Sequence, residues 1–143
     1  MIVLVDLDDA LIGSQVIETL EDAYRSGADV TVGSMLRTDK YKEYPINFDN
    51  PRENRGGNVW QHLRTFRKYL FDKIDVNDLK IDGEWVPHTE DWAFMLPIVE
   101  MAAKPAHITD PLYFYEPSNR SYSREERERV IAEIVGKKSY KAS

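Results

Sequence analysis

The chain has 143 residues, 42% apolar and 11% aromatic, which suits one folded domain with a single core rather than a disordered tail. Its 25 acidic against 19 basic residues give a net charge of −6, which argues against nucleic acid as a partner, because phosphate binding needs a basic surface. The absence of cysteine excludes disulfides, zinc ribbons and thiol catalysis.

The start, MIVLVDLDD, is too short and too quickly acidic for a signal peptide, and no apolar run has the length of a transmembrane segment. The expected location is cytoplasmic. Ile2 to Val5 is an apolar run ending in carboxylates, which predicts a buried parallel strand with functional residues at its C-terminal end. Ser14 to Ser26 predicts a helix, with Val16, Ile17, Leu20, Ala23 and Tyr24 at helical spacing, Ser14 as cap and Gly27 as stop. Asp29 to Leu36 alternates as a second strand, so the three elements predict a βαβ unit.

Arg37 to Gly57 is rich in Asn, Pro, Tyr and charge and closes on Arg55-Gly56-Gly57, which predicts a long functional loop. Helical spacing returns from Asn58 to Ile74, with Val59, Leu63, Phe66, Leu70 and Ile74 on one face and Arg64, Arg67 and Lys68 on another. Leu79 to Trp85 predicts a short strand around Asp82-Gly83. Thr89 caps a predicted helix to Ala103, kinked at Pro97. His107 to Tyr115 is a last strand broken by Pro111. Ser123-Arg124-Glu125-Glu126 has the pattern of a capping box and opens a helix that Gly136 ends.

The densest chemistry is Asp6, Asp8 and Asp9. Three carboxylates this close repel one another unless a cation neutralises them, and hard oxygen ligands suit Mn²⁺ or Mg²⁺. A solvated acidic turn is the plainer alternative, favoured by the following helix. Glu90 and Asp91 open a helix, where capping alone would explain two carboxylates. For Trp92 core packing, and for His88 a structural role, are the plain alternatives to contacting a ligand.

Two families resemble the acidic segment. VDLDDALI is similar to the opening motif of haloacid-dehalogenase-like phosphatases, in which Asp6 would be the nucleophile, but Ala10 stands where that motif has Thr or Val. The segment equally resembles the LDxDD segment of family 2 glycosyltransferases. Three further pieces extend the second resemblance in order: NVWQHLRTFRKYLFDKI, TEDWAFMLPIVEMA and ITDPLYFYEPSNRSYS.

The resemblance covers about Ile2 to Ser123. It implies an α/β fold with part of a GT-A sheet and flanking helices. It also implies that residues 1–143 form one domain, the metal and acceptor half, with a nucleotide-binding half expected before it. The implied activity is metal-dependent transfer of a sugar from a nucleotide-sugar donor to a saccharide or other hydroxyl acceptor, with inversion. Asp8 and Asp6 would hold the metal, Asp6 and Asp9 would face the donor, and Asp91 would be the general base. Glu90, Trp92 and His88 would contact substrate. Tyr115 is followed by Glu116, Pro117, Ser118 and Asn119, where many members carry a Tyr-Arg-x-x-His-like segment. A noncatalytic remnant of the family is the remaining alternative. If flanking strands are absent, the exposed edge of the first strand predicts a homo-oligomer.

Overall fold

The computed structural model describes residues 1–41, 45–53, 61–117 and 121–141. It is a mixed α/β structure. The elements run β1 (Ile2–Leu4), β2 (Ala10–Leu11), α1 (Val16–Arg25), β3 (Val30–Arg37), β4 (Arg64–Phe66), α2 (Lys68–Phe71), a 3₁₀ turn (Val76–Leu79), β5 (Lys80–Ile81), β6 (Glu84–Trp85), α3 (Glu90–Met101), β7 (Pro105–Tyr115) and α4 (Arg124–Gly136).

Five strands form one sheet in the order β1-β4-β3-β7-β2. Only β3 and β7 are parallel; β4 runs antiparallel to both its neighbours, and β2 antiparallel to β7. Three predictions for the first seventy residues change as a result. The strand at Ile2–Leu4 is neither parallel to its neighbour nor fully buried: it pairs antiparallel with β4, and Val5 beyond it is 43% exposed. It does not form a simple βαβ unit with α1 and β3, because β4 lies between the two strands. The helix expected over Asn58 to Ile74 is replaced, where described, by a strand and a four-residue helix.

Of the apolar positions expected on one helix face, Leu63, Phe66 and Leu70 lie in the core and Ile74 is half-buried, although the backbone there is not helical throughout. Leu63, Phe66 and Leu70 are all nearly fully buried, yet the gap between β1 and β3 takes residues 64–66 as a strand. A three-residue strand there satisfies both neighbours' backbone groups, which an isolated helix would leave open. Asn58, Val59 and Arg55-Gly56-Gly57 lie outside the described residues.

The sheet is covered on both faces. Val30 and Val32 share a core with Phe66, Leu70, Trp92, Met95, Leu96, Ile98, Val130, Ile131 and Ile134, so α3 and α4 pack on one side. A second cluster of Val16, Leu20, Leu63, Leu112 and Tyr113 holds α1. Val16, Leu20 and Tyr24 recur every fourth residue as the buried stripe of α1; Ile17, expected in it, is 51% exposed. Ser14 does not cap this helix, whose N-cap is Gln15 with no side-chain bond. Between α1 and the sheet lies a buried hydroxyl chain, Tyr24–Thr65–Thr31, with O···O distances of 2.9 and 2.5 Å. Burial pushes the Tyr24 phenol up to about 12.

The hairpin β5–β6 turns on Asp82-Gly83, both at positive φ (52° and 84°), as an Asp-Gly turn requires. Strand β7 continues through Pro111, but the ladder to β3 shifts register at Ser34, which faces Pro111. A proline has no N–H to offer there. The Ser123–Glu126 capping box is formed in both directions. Helix α3 runs through Pro97. Arg52 ties the irregular segment 45–53 to the end of α4, donating to the carbonyls of Val135, Lys137 and Lys138 and pairing with buried Glu100.

Candidate functional site

A cleft of ≈ 390 Å³ opens at the C-terminal end of β1 and the N-terminus of α3. Asp6, His62, Arg64, Glu90, Asp91 and Tyr115 line it, with Tyr122 and Arg127 contributed by the segment after β7. The two regions singled out by sequence, the acidic turn and the start of α3, therefore meet in one place.

The acidic turn is shaped by hydrogen bonds to β7. Asp9 N–H donates to the Asp6 carbonyl at 3.2 Å, closing the turn over Leu7 and Asp8. Buried Tyr113 anchors it: its hydroxyl accepts from Asp6 N–H (3.1 Å) and donates to Asp9 Oδ2 (2.6 Å). Burial raises the Tyr113 pKa, and the Asp9 hydrogen bond adds to the shift. Asp9 Oδ1 accepts from Glu116 N–H at 2.8 Å. Asp9 is thus first a structural clamp on the strand.

Among the described residues, the group able to surround a metal ion is Asp6, Asp9 and His62, with ligand atoms within 4.8 Å of one another. Asp8, expected as the main ligand, is exposed and outside that group. The turn brings Asp6 and Asp9 together and leaves Asp8 at its tip. Burial raises the Asp6 pKa; nearby Arg64 opposes the shift, while Asp9, Asp8 and Asp91 reinforce it. A cation at this point would relieve that repulsion.

No motif points to His62, which falls in the stretch expected to be helical. Its ring stacks on Tyr113 (centroids 4.4 Å apart, 8° between planes) and on Tyr115 (5.4 Å, 20°). Burial, with help from Arg64, lowers its pKa to about 3, so the imidazole is neutral at neutral pH and keeps a lone pair for a metal. Nε2 lies 3.6 Å from Asp6 Oδ2 and 3.0 Å from an Arg64 amine. The segment carrying His62 passes so close to β3 that a Cβ on Gly33 would lie 2.3 Å from the Leu63 nitrogen. Only glycine allows that approach.

On the opposite wall, Thr89 precedes α3 with φ of 56°, an outlier for a β-branched residue. Its hydroxyl donates to the His88 carbonyl at 2.6 Å, so it is not the side-chain cap expected of it. The conformation sets Glu90, exposed, and Asp91, half-buried, on the cleft. Asp91 Oδ2 pairs with Arg64 at 3.1 Å, and Oδ1 accepts from Trp92 N–H at 3.0 Å.

Trp92 is 1% exposed within the main core. It has no free face for a sugar, and the core-packing alternative is the one realised. Aromatic surface in the cleft comes instead from Tyr115, Tyr122 and Phe94. His88 is not on the cleft lining and stacks on Tyr122 (3.8 Å, 11°), which is. The three basic residues expected on one helix face separate: Arg64 enters the cleft, Arg67 lies over the Tyr24 ring at 4.6 Å, and Lys68 pairs with Asp72. Compared with family models, curated proteins and solved structures, the chain has no match in any of the three. No described helix is long and apolar enough to cross a membrane.

Proposed function

We propose that this cleft is the metal and acceptor side of a glycosyl-transfer site, moving a sugar from a nucleotide-sugar donor to a hydroxyl acceptor with inversion, in part of a GT-A-type fold. The observation that carries the reading is the convergence of Asp6 and Asp91, distant in sequence, on one cleft walled by tyrosines. Asp91 is the general base: its carboxylate opens onto the cleft, where an acceptor hydroxyl within hydrogen-bond reach would give up its proton as it attacks the anomeric carbon. Arg64 orients that carboxylate through the 3.1 Å contact. Tyr122, on the cleft lining, offers aromatic surface to a sugar ring, and exposed Glu90 can accept from its hydroxyls.

The donor atoms present fit a divalent cation. Asp6 and Asp9 supply oxygens and neutral His62 a nitrogen, a set that suits Mn²⁺ better than Mg²⁺, which favours oxygen ligands and retained water. A bound cation would serve as Lewis acid for the departing nucleoside diphosphate.

The test is a melting-temperature screen of sugar nucleotides with and without Mn²⁺. Stabilisation by a sugar nucleotide only when Mn²⁺ is present supports the proposal. Turnover of a phosphate ester with phosphoryl transfer to Asp6 would replace it with the phosphatase alternative, and silence in both assays with a noncatalytic role.

A further inference from the structure

The cleft holds a cation of its own. Arg64 is 11% exposed, and one terminal amine bridges two functional groups: His62 Nε2 at 3.0 Å and Asp91 Oδ2 at 3.1 Å. A guanidinium is always protonated and can only donate. The imidazole nitrogen facing it must therefore be the acceptor, which places the ring proton on Nδ1. Nδ1 is buried and has no partner among the described residues, so no competing hydrogen bond fixes the ring in this tautomer; Arg64 does. The same Nε2 faces the Asp6 carboxylate across 3.6 Å. That distance is too long for a hydrogen bond. A lone pair and a carboxylate oxygen so placed favour a positive charge near both, and the Arg64 guanidinium supplies one.

We propose, building on the metal-dependent reading above, that Arg64 is the resident counter-ion of a divalent-cation site at Asp6 and His62, and that an incoming cation displaces it from His62. One lone pair cannot serve both, so the Arg64–His62 hydrogen bond and cation ligation by Nε2 are mutually exclusive. Two positive charges at this spacing also repel. Arg64 keeps its carboxylate partner, Asp91, so the residue that orients the base also reports whether the cation is bound. Arg64 is thus a positioning residue that sets cation affinity and links the two walls of the cleft.

Calorimetric titration with Mn²⁺ alone, without any nucleotide, tests this. Arg64→Gln keeps a side-chain donor for His62 and Asp91 but removes the charge; Arg64→Met removes both. A charge-assisted hydrogen bond corresponds to about tenfold or more in a binding constant. Arg64→Gln is therefore expected to bind Mn²⁺ about tenfold more tightly than wild type, and Arg64→Met more tightly still. In a His62→Phe background, Arg64→Met should bring no gain over His62→Phe alone. Affinity that is unchanged or weaker in the Arg64 variants overturns the proposal. A gain that survives His62→Phe also overturns it, because the effect would then be overall charge rather than competition for one nitrogen.

If neither Arg64 variant folds by circular dichroism, the wild type decides. Mn²⁺ must broaden the imidazole resonances of His62 ahead of those of His88 and His107, and failure to do so refutes the site. Because no sugar nucleotide is used, failure here is distinct from failure of the glycosyl-transfer reading, which the melting screen judges.

Discussion

Replacing Gly33 by alanine tests the link between the sheet and the cleft. The new Cβ would lie 2.3 Å from the Leu63 nitrogen and 2.7 Å from the His62 carbonyl oxygen. Ordinary contacts begin near 3.4 Å, so the backbone of one strand or the other must move by roughly 1 Å, and neither obstructing atom can rotate away. Overpacking of this kind costs about 1–3 kcal/mol. At this chain length each kcal/mol shifts the melting temperature by roughly 3–5 °C, so Gly33→Ala should melt several degrees below wild type in calorimetry. The displaced segment carries His62, so Mn²⁺ binding should weaken as well. Gly136→Ala is the control: it lies at the end of α4 with nothing within 4 Å of its Cβ. There alanine should be neutral or stabilising by up to about 1 kcal/mol. A Gly33→Ala protein that melts at or above the wild-type temperature with unchanged Mn²⁺ affinity would refute the reasoning.

Four further outcomes are expected. Asp91→Asn keeps shape but cannot take a proton, so sugar transfer should fall by about 10²–10⁴-fold with Mn²⁺ affinity little changed; a wild-type rate would make Asp91 a helix-end residue only. Arg52→Ala removes the cation from the Glu100 carboxylate, whose side chain is 2% exposed and keeps only the Tyr140 N–H as a donor among the described residues, and removes a donor from three carbonyls. Urea denaturation should show a loss of about 3–5 kcal/mol, partly restored by adding Glu100→Gln. In the capping box, hydrogen bonds from Ser123 hold the Glu126 pKa below its ordinary 4.5. Its stabilisation is therefore complete above pH 4.5 and lost as pH falls through the folded value, so Glu126→Gln should flatten the acid limb of the stability curve. Strand β1 pairs only with β4 among the described residues, and light scattering is expected to show a homodimer joined through that edge, as against a monomer at high concentration.

Three residues singled out in the sequence, Asp6, Glu90 and Asp91, stand on the lining of the cleft. Asp6 and Asp9 follow an apolar run, Glu90 and Asp91 open an apolar helix, and the capping box and Asp-Gly turn each formed where their local chemistry placed them. These signals are short-range: a turn, a cap or an amphipathic stripe is encoded within a few neighbouring residues. The apolar positions Leu63, Phe66 and Leu70 were legible as core for the same reason, since burial follows side-chain chemistry whatever the backbone does.

Tertiary structure decided everything that depended on which strand lies beside which. Residues 64–66 carry a pattern compatible with a helix, and only the space between β1 and β3 makes them a strand. That pairing takes Arg64 from a basic helix face to Asp91 and sets His62 opposite Asp6. Trp92 moved from candidate sugar platform to core because α3 packs on the sheet through that face. Asp9 rather than Asp8 joined Asp6 because the Tyr113 hydroxyl, a hundred residues away, holds the turn. Each of these facts is a long-range contact, and a single chain read in order contains no term for the distance between residues it has not yet folded together.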